Sequence, residues 1–334
     1  MRVIVDAMGG DNAPHAIVEG CVLALEEMPF LEITLTGKKD VISNELQKYN
    51  YDKQRINIVA AAEVIDMAEP PVAAIRTKTD SSLVKGLRLL REGEGNVFVT
   101  AGSTGAAIAG ATLIVRRPKG VKRPALAPLL PTAKGRALLI DCGANAECRP
   151  SYLAQFALMG SIYMQKVEGV KSPRVGLVSN GAEEEKGNEL TKEAFKLIRQ
   201  MPVNFVGNAE GRDLVSGDYD VIVCDGFTGN VVLKFMEGVA GVLMGMLKNE
   251  LNSSMRTKIG AALAMPAFKN LKKSMDYTEY GGALLLGVNG GVVKAHGSSN
   301  AKAIKSTLRQ AAGLIDGDVV NVIKEEIAKI TLDD

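Results

Sequence analysis

Residues 220–230 read Asp-Val-Ile-Val-Cys-Asp-Gly-Phe-Thr-Gly-Asn, and a long apolar run with helical spacing follows from Val231. The β-branched run stops at Asp-Gly, and this order predicts a buried strand, a tight loop and the amino end of a helix. The unpaired N–H groups and the dipole of such a helix favour an anion above the strand. A purely structural turn would give the same pattern, so this stretch alone leaves both interpretations open.

The same order of strand, polar loop and helix recurs along the chain. Most predicted strands end in loops of Gly, Asn, Ser, Asp or His, and these strands lie at residues 3–6, 97–100, 137–141, 174–178, 203–206 and 220–223. Further strands at 31–36 and 56–60 alternate with helices, which is typical of a parallel sheet. Ligands of open α/β sheets bind beyond the carboxyl ends of the strands. We therefore expect these loops to line a common cleft for a small anion.

The composition indicates a large globular chain. Its 334 residues are 46% hydrophobic and 23% charged, enough to bury a sizeable core. A net charge of +2 and an aromatic content of 4% do not favour nucleic acid as a partner. No signal-peptide pattern and no uninterrupted apolar run of roughly 18 residues is found, so a cytoplasmic location is expected. The four cysteines lack CxxC spacing, which predicts free thiols and no metal site.

Common cofactor and nucleophile motifs are absent from the sequence. No GxGxxG follows a predicted strand with an acidic residue about 20 positions later, and no GxxxxGK[ST] occurs, so we expect no nucleotide cofactor. GxSxG is also absent. Both histidines, His15 and His296, lie in polar loops at strand ends, which favours a chemical role over a structural one. Lys186 stands beside Gly187 after three glutamates, where a buried lysine would bind a small anion.

One segment concentrates positive charge. Residues 116–124 contain no acid and five basic side chains, which are Arg116, Arg117, Lys119, Lys122 and Arg123. Two prolines predict an exposed loop here. A solvated charge run is the usual explanation of such a segment, but a cluster on a rigid loop also suits the docking of an acidic partner.

Taken together, the motifs closely resemble those of the PlsX family, the bacterial phosphate acyltransferases of phospholipid synthesis, from end to end of the chain. They are Asp6–Asp11 with Ala13-Pro14, Ala101–Ala106, Glu183–Asn188, Asn204–Gly207 with Glu210–Asp213, Cys224–Lys234, and Tyr280–Gly282 through His296–Ser299. The resemblance implies transfer of a fatty acyl group from acyl carrier protein to inorganic phosphate, giving acyl phosphate for glycerol-3-phosphate acylation. It also implies a homodimer whose fold is a three-layer α/β/α sandwich similar to isocitrate/isopropylmalate dehydrogenases and phosphotransacetylases.

The expected site residues follow from these loops and this resemblance. Chemistry is assigned to Lys186, His296, His15 and Asn230. Binding of phosphate and substrate is assigned to Asp6, Gly9, Gly10, Asp11, Ser103, Thr104, Gly105, Asn180, Asn188, Asp225, Gly229 and Ser298. Phosphate is itself the acceptor, so no protein nucleophile is required. Cys224 is interpreted as a buried strand residue, with a covalent relay as the alternative.

Two positions depart from the family pattern. The family usually has Asn where Ser103 stands and often a basic residue where Thr79 stands, so the roles of those two loops stay open.

Two other classes of protein are alternatives to the acyltransferase. A dehydrogenase on the related fold is the alternative enzyme, and an anion-binding regulator is the alternative that is not an enzyme.

The segment 231–275 is predicted to form a helical hairpin protruding from a single α/β/α domain, residues 1–334. Pro266 is expected to break the helix at the tip. The apolar residues there are Ile259, Leu263, Met265, Phe268 and Leu271, and the charges are Lys248, Arg256, Lys258, Lys269, Lys272 and Lys273 against Glu250. This composition predicts peripheral contact with an anionic membrane. The resemblance implies that this contact is near a membrane glycerol-3-phosphate acyltransferase. A dimer-forming hairpin is the alternative, and both hold if only its base dimerises.

Overall fold

A computed structural model describes residues 1–275 and 281–332, with the backbone alone described for 270–275. The predicted motif residue Tyr280 lies outside the described residues. The strands are β1 (Arg2–Asp6), β2 (Glu32–Gly37), β3 (Ile56–Ala60), β4 (Val97–Thr100), β5 (Ala125–Ala127), β6 (Leu129–Thr132), β7 (Gly135–Ile140), β8 (Arg174–Ser179), β9 (Asn204–Glu210), β10 (Val221–Val223), β11 (Ala283–Leu286) and β12 (Gly291–Lys294).

The helices alternate with these strands, as the sequence predicted. They are α1 (His15–Glu27), α2 (Lys39–Leu46), α3 (Pro71–Thr77), α4 (Ser82–Glu92), α5 (Thr104–Gly110), α6 (Pro150–Lys166), α7 (Glu189–Ile198), α8 (Gly226–Asn252), α9 (Met255–Met275), α10 (Ala301–Asp316) and α11 (Val319–Ala328). A 3₁₀ turn, Lys53–Arg55, precedes β3, and a π-helical turn, Ala111–Val115, extends α5.

The described strands form two sheets. The first sheet has seven strands in the order β3-β2-β1-β4-β12-β11-β5, and the second has five in the order β6-β7-β10-β8-β9. Neighbouring strands pair in parallel except on both sides of β11, which is reversed in the first sheet, and between β6 and β7 in the second. The α/β class is confirmed, but the sequence did not show that the strands divide between two sheets. The single-domain description stays a prediction.

Successive side chains along a strand point to opposite faces of the sheet. Both faces of the first sheet carry apolar side chains, and helices cover both faces. In β1, Val3 and Val5 belong to a buried cluster with Ile17 of α1, whereas Ile4 belongs to a second cluster with Leu83 of α4. The first cluster continues into the second sheet through residues such as Leu138. One continuous apolar core therefore joins the two sheets.

Some element boundaries differ from the predicted ones. Residues 71–92 form two helices, α3 and α4, because Lys78–Ser81 forms a turn and Ser81 Oγ accepts a hydrogen bond from Val84 N, capping α4. The loop predicted after residue 206 is strand, since β9 continues beside β8 through Glu210. Strands β5 and β6 were missed because both are short and separated by only Pro128.

The hairpin formed by α8 and α9 turns at Ser253-Ser254, so the prediction of a tip at Pro266 is wrong. The α9 helix runs through Pro266. The turn is fixed by hydroxyls instead, because Ser253 Oγ donates to Glu250 O at 2.8 Å and Ser254 Oγ accepts from Thr257 N at 3.2 Å. Serine side chains of this kind compete for backbone partners and end or begin helices.

The α8 helix is largely outside the core. Among its side chains an exposed apolar stripe recurs at helical spacing, and it consists of Phe227, Val231, Phe235, Val242 and Met246. By length and composition this helix could cross a membrane. Its amino-terminal turns nevertheless contact the second sheet through Val232, Leu233 and Met236. The exposed stripe is therefore a surface available to a partner of some kind.

Candidate active site

The carboxyl ends of β1 and β4 are tied together by a buried carboxylate. Asp6 Oδ2 accepts a hydrogen bond from Thr100 Oγ1 at 2.8 Å, and Asp6 Oδ1 accepts one from Met8 N at 3.1 Å. Thr100 Oγ1 in turn accepts from Gly102 N at 2.9 Å. Burial raises the pKa of Asp6, and these hydrogen bonds oppose that rise. The loops after the two strands thus begin from a fixed, connected pair of side chains.

Glycine is required where these two loops meet. A Cβ on Gly9 would lie 2.6 Å from Asp6 Oδ2 and 2.7 Å from Gly102 N, which no real side chain tolerates. Gly10 has φ of +101°, a conformation that costs other residues free energy. The predicted Gly9 and Gly10 are therefore needed for close approach of the backbones. In the loop after β4, Ser103 Oγ caps α5 by accepting a hydrogen bond from Ala106 N at 3.4 Å. The loops after β1 and β4 together form a cluster of candidate site residues.

Serine at 103 keeps the capping function that an asparagine would have, since both are preferred helix caps. Thr104 and Gly105 follow as the first residues of α5. A Cβ on Gly105 would lie 2.6 Å from Pro71 Cγ, so this glycine allows α3 to pack closely. Both residues are half-buried, in the wall of the cluster.

The loop after β12 joins the same cluster. Asp11 N donates to Gly297 O at 2.8 Å, and Asn12 Nδ2 donates to Ser298 O at 3.1 Å. The predicted residues Asp11 and Ser298 are brought together with His296 by these contacts. Three loops, from β1, β4 and β12, therefore converge at the carboxyl edge of the first sheet.

The hydrogen bonds of His296 define which ring nitrogen carries a proton. Its Nδ1 lies 3.3 Å from Ser298 N and 2.8 Å from Ser298 Oγ. A backbone N–H can only donate, so Nδ1 accepts and the neutral ring carries its proton on Nε2. Partial burial and the Lys234 ammonium lower the pKa of His296. At neutral pH this side chain is therefore an uncharged donor through Nε2.

The α8 helix reaches these loops from the second sheet. Lys234 and Glu237, which form an ion pair of 2.7 Å, both influence the pKa of His296. Lys234 belongs to a quoted motif, but its role was not predicted. This side chain of α8 is therefore near enough to His296 to influence its charge.

A second buried carboxylate organises the ends of β7 and β10. Asp141 accepts hydrogen bonds from five N–H groups at 2.7–3.2 Å, namely Leu126 N, Cys142 N, Ala144 N, Asn145 N and Asn145 Nδ2. Burial raises the pKa of Asp141. Because Leu126 belongs to the first sheet, this residue also connects the two sheets. Sequence reasoning missed its role, although it closes a predicted strand.

The start of α8 differs from the expected anion site. Asp225 is the helix cap, with Oδ1 accepting from Thr228 N at 2.9 Å, and Asn145 O accepts from Gly226 N at 2.7 Å. Protein groups therefore satisfy these donors. Asn230 is inside the helix rather than in a loop, with Cβ 3.9 Å from a Cβ placed on Gly143. The carboxylate of Asp225 further disfavours an anion at this helix end.

Gly229 is the contact point between α8 and the loop after β7. A Cβ on this residue would lie 1.9 Å from Asp141 O and 2.9 Å from Cys224 Sγ. The glycine is needed because the helix passes directly over that carbonyl group. It positions α8 rather than contacting a ligand through a side chain.

The loop after β8 places Lys186 in solvent, so its expected burial is wrong. Asn188 caps α7, accepting from Thr191 N at 2.9 Å, and Asn180 is exposed. The loop is held at Glu183, whose carbonyl accepts from Asn208 Nδ2 at 2.7 Å. These residues lie at the carboxyl edge of the second sheet, whereas His296 lies at that of the first sheet.

The other candidate side chains have separate surroundings. His15 Nδ1 lies 2.7 Å from Glu45 Oε1 and 3.3 Å from Tyr49 Oη, in a cluster between α1 and α2. Cys224 is buried, its Sγ donates to Asp141 O at 3.4 Å, and burial holds the pKa of the thiol well above its usual range. A thiol held in that form is a poor nucleophile, which argues against the covalent relay.

One charged residue of the cluster was overlooked. Lys294, the last residue of β12, is 7% exposed, and its Nζ donates to Ala101 O at 3.2 Å. A lysine inside an otherwise apolar strand pattern, directly before Ala-His-Gly, was the signal available in the sequence. Among the described residues, no group of three or more His, Cys, Asp or Glu side chains is arranged to hold a metal ion.

Solved structures with a similar architecture include a phosphotransacetylase and a dehydrogenase. A phosphotransacetylase from Streptococcus pyogenes is similar with a TM-score of 0.62 and 16% identity, over 96% of this chain and 94% of that chain. A 4-hydroxythreonine-4-phosphate dehydrogenase from Klebsiella pneumoniae is similar with a TM-score of 0.54 and 12% identity, over 94% and 97%. The fold is therefore of the phosphotransacetylase and dehydrogenase class, as expected.

The comparisons of sequence identify a family, whereas those of structure identify only the fold. A profile of the family described as "Fatty acid synthesis protein" matches residues 1–322. A phosphate acyltransferase of Clostridium novyi (strain NT) is 52% identical over 327 residues, 98% of each chain. The chain belongs to this family, the PlsX phosphate acyltransferases. It is an acyltransferase, and phosphate is the acceptor of the acyl group.

Proposed function

We propose that the acyl donor is a fatty acyl thioester of acyl carrier protein and that the acyl phosphate formed supplies glycerol-3-phosphate acylation. The observation that carries the site assignment is the meeting of three loops at the carboxyl edge of the first sheet, around His296. In α/β sheets this edge is where ligands bind. The loops bring backbone donors, a neutral histidine and the buried Lys294 into one place, which suits a phosphate and a developing oxyanion.

The proposed reaction needs no covalent intermediate on the protein. An oxygen of HPO₄²⁻ attacks the thioester carbonyl carbon, and the C–S bond breaks as the carbonyl re-forms. The phosphate proton passes to the departing thiolate, so the products are acyl phosphate and free carrier-protein thiol. His296 Nε2–H stabilises the oxyanion of the tetrahedral intermediate by donating a hydrogen bond. The loops hold phosphate in line for attack.

The donor and acceptor are tested by incubating palmitoyl-carrier protein with enzyme and phosphate while following thioester loss and acyl phosphate formation. We expect both to require phosphate. Thioester loss without phosphate would indicate hydrolysis, and reduction of a nicotinamide cofactor would indicate the dehydrogenase alternative. Phosphate binding with no turnover on any acyl thioester would instead favour an anion-binding regulator.

The basic loop, residues 116–123, supports docking of the acidic carrier protein. Arg116, Arg117, Lys119 and Arg123 are exposed, and the guanidinium carbon of Arg123 lies 5.8 Å from the ring centre of Tyr152. Lys122 Nζ donates a hydrogen bond to Leu332 O at 3.1 Å, and this bond joins the loop to the carboxy-terminal segment. Exposed cations on an anchored loop give a fixed positive surface, and such surfaces govern association with charged partners.

Charge reversal in this loop is expected to weaken the carrier substrate selectively. Arg117→Glu with Lys119→Glu should raise the KM for acyl-carrier protein about tenfold or more at low salt, because like charges on the loop and the acidic carrier repel each other and slow association. A short acyl-thioester without the protein should react unchanged. Lys53→Glu with Lys171→Glu, at two exposed lysines outside this loop, is the matched control. Equal effects on both substrates would remove this loop from the docking surface.

The hairpin supports both the homodimer and the peripheral membrane contact that we propose at the inner face of the cell membrane, near a membrane glycerol-3-phosphate acyltransferase. The α8 stripe, with Phe235 71% exposed, leaves a long apolar face uncovered. A second copy of the hairpin is its proposed partner, since faces of this kind are typical of subunit interfaces. At the turn, Met255 and Ile259 are exposed beside Arg256 and Lys258, which suits an anionic leaflet.

The turn and the stripe are separable by mutation. Met255→Glu with Ile259→Glu should abolish sedimentation with anionic liposomes while dimer and soluble activity persist, because these residues flank the Ser253-Ser254 turn. Phe235→Glu with Val242→Glu should instead give monomers by light scattering. Leu263→Glu, at a residue 82% exposed farther along α9, tests how deep the contact extends. Liposome binding retained by the turn variant would contradict the membrane proposal.

A further inference from the structure

Lys294 is a buried cation at the centre of the first sheet. It ends β12, which lies between β4 and β11, and only 7% of the residue is exposed. Its ammonium group donates to two backbone carbonyls, Ala101 O at 3.2 Å and Ala295 O. The preceding residues of the strand are Gly291, Val292 and Val293, so an apolar residue would suit this position without the cost of burying a charge. The lysine therefore needs a reason beyond packing.

The carbonyl groups of Ala101 and Ala295 lie at the beginnings of the loops that contain Ser103 and His296. Ala101 directly precedes the loop of Gly102 and Ser103, and Ala295 directly precedes His296. The pairing of β4 with β12 ends here, since the last backbone hydrogen bond between them is the one that Ala295 N donates to Thr100 O at 2.9 Å. Beyond that contact, Lys294 is what continues to join the two backbones.

We propose that Lys294 is a positioning residue, whose charged form holds the Ser103 loop and the His296 loop at the separation that phosphate and the oxyanion require. This inference rests on the proposed placement of the reaction between these loops. The lysine acts through Ala101 O and Ala295 O rather than through the substrate. An ammonium donates more strongly to a carbonyl than a neutral amine does, so loss of its proton loosens both contacts.

The charges around Lys294 determine when that proton is lost. Asp6 from β1 and Asp11 from the following loop favour the charged form, whereas Lys234 from α8 opposes it. Burial is the largest influence, and it lowers the pKa of Lys294 to about 8. The charged form is therefore present below pH 8 and is lost as the pH rises through that value. Inorganic phosphate is already a dianion there, so substrate ionisation does not produce the same change.

The expected consequence is an alkaline limb in the pH profile of kcat, with about a tenfold fall for each unit above pH 8, as for any single ionisation. Lys294→Met should lower kcat at pH 7 at least tenfold and remove the limb. Lys294→Arg keeps a charge at all these pH values and should be more active than the wild type at pH 9.5. A merely structural lysine would change none of these slopes.

Folding stability gives an independent readout with the opposite sign. The pKa of Lys294 is lower in the folded protein than the usual value of 10.5, so the unfolded chain binds more protons between about pH 8 and 10.5. Through this group, stability is least below pH 8 and rises with pH in that window, while activity falls. The difference in urea midpoint between wild type and Lys294→Met should therefore change with pH only in that window.

Asp11→Asn keeps the test possible if Lys294→Met does not fold. Removing this negative charge should move the alkaline limb to lower pH, whereas Asp316→Asn, at the exposed end of α10, should leave the limb in place. The proposal is overturned if the wild-type profile is flat from pH 7 to 9.5, if Lys294→Met keeps the limb, or if Asp11→Asn does not move it. A wild-type enzyme without phosphate-dependent thioester loss would instead contradict the proposed function, which is a different outcome.

Discussion

Replacing His296 with alanine is expected to lower kcat about 10²–10³-fold, the usual effect of removing one oxyanion donor. The neutral ring has its proton on Nε2 because Ser298 N occupies Nδ1 at 3.3 Å, so it is preset to donate rather than to accept a proton. The KM for phosphate should change little, since the hydrogen bond forms with the tetrahedral oxyanion and not with free phosphate. Turnover is measured with palmitoyl-carrier protein at saturating phosphate.

Two further variants make this expectation specific. His296→Gln retains an N–H donor and should recover part of the lost turnover. A loss of turnover in His15→Ala that exceeds the loss in His296→Ala would assign the chemistry to the histidine between α1 and α2, and the proposed site would be misplaced.

Replacing Gly229 with alanine is expected to destabilise the protein by about 3 kcal/mol or more, at the upper end of overpacking effects. The new Cβ would lie 1.9 Å from Asp141 O, which is backbone and cannot rotate away. The change would also displace the start of α8 from the Asp141 hydrogen bonds, so activity should fall with stability. Urea denaturation followed by circular dichroism measures the difference.

The same helix provides a control of opposite sign. Gly245 also lies in α8, but a Cβ placed on it meets no atom within 4 Å. Gly245→Ala should therefore stabilise the helix by about 0.5–1 kcal/mol, because alanine has the higher helix propensity. If both substitutions were neutral, α8 would not pass over the loop after β7 as described.

The parts of the fold that the sequence predicted are those governed by local pattern. The bounds of β3 and β4 agree with the predicted strands because each is a compact β-branched run between turn residues. The polar loops at strand ends were found for the same reason. Pairing between strands is a long-range property, and so the division into two sheets could not be derived from periodicity.

The site shows a similar limit. Asp225 was predicted beside the start of a helix and Asn188 as a binding residue, but the side chains of both serve as helix caps. Local sequence does not distinguish a capping carboxylate from a ligand-binding one. Asp141 and Lys294 were missed because their roles depend on neighbours from other strands. Pro266 was misread as a tip because helix propensity is a weak rule beside the capping hydroxyls of Ser253 and Ser254.

The order of strands has a consequence for synthesis on the ribosome. Every strand of the second sheet lies between Leu129 and Val223, whereas the first sheet receives β11 and β12 only near the end of the chain. Val97 of β4 pairs with Gly291 of β12, which is synthesised almost 200 residues later. The nascent chain should therefore complete the second sheet first, while one edge of β4 stays unpaired. Such an edge recruits other strands, so newly made chains should aggregate unless a chaperone shields β4 until translation ends.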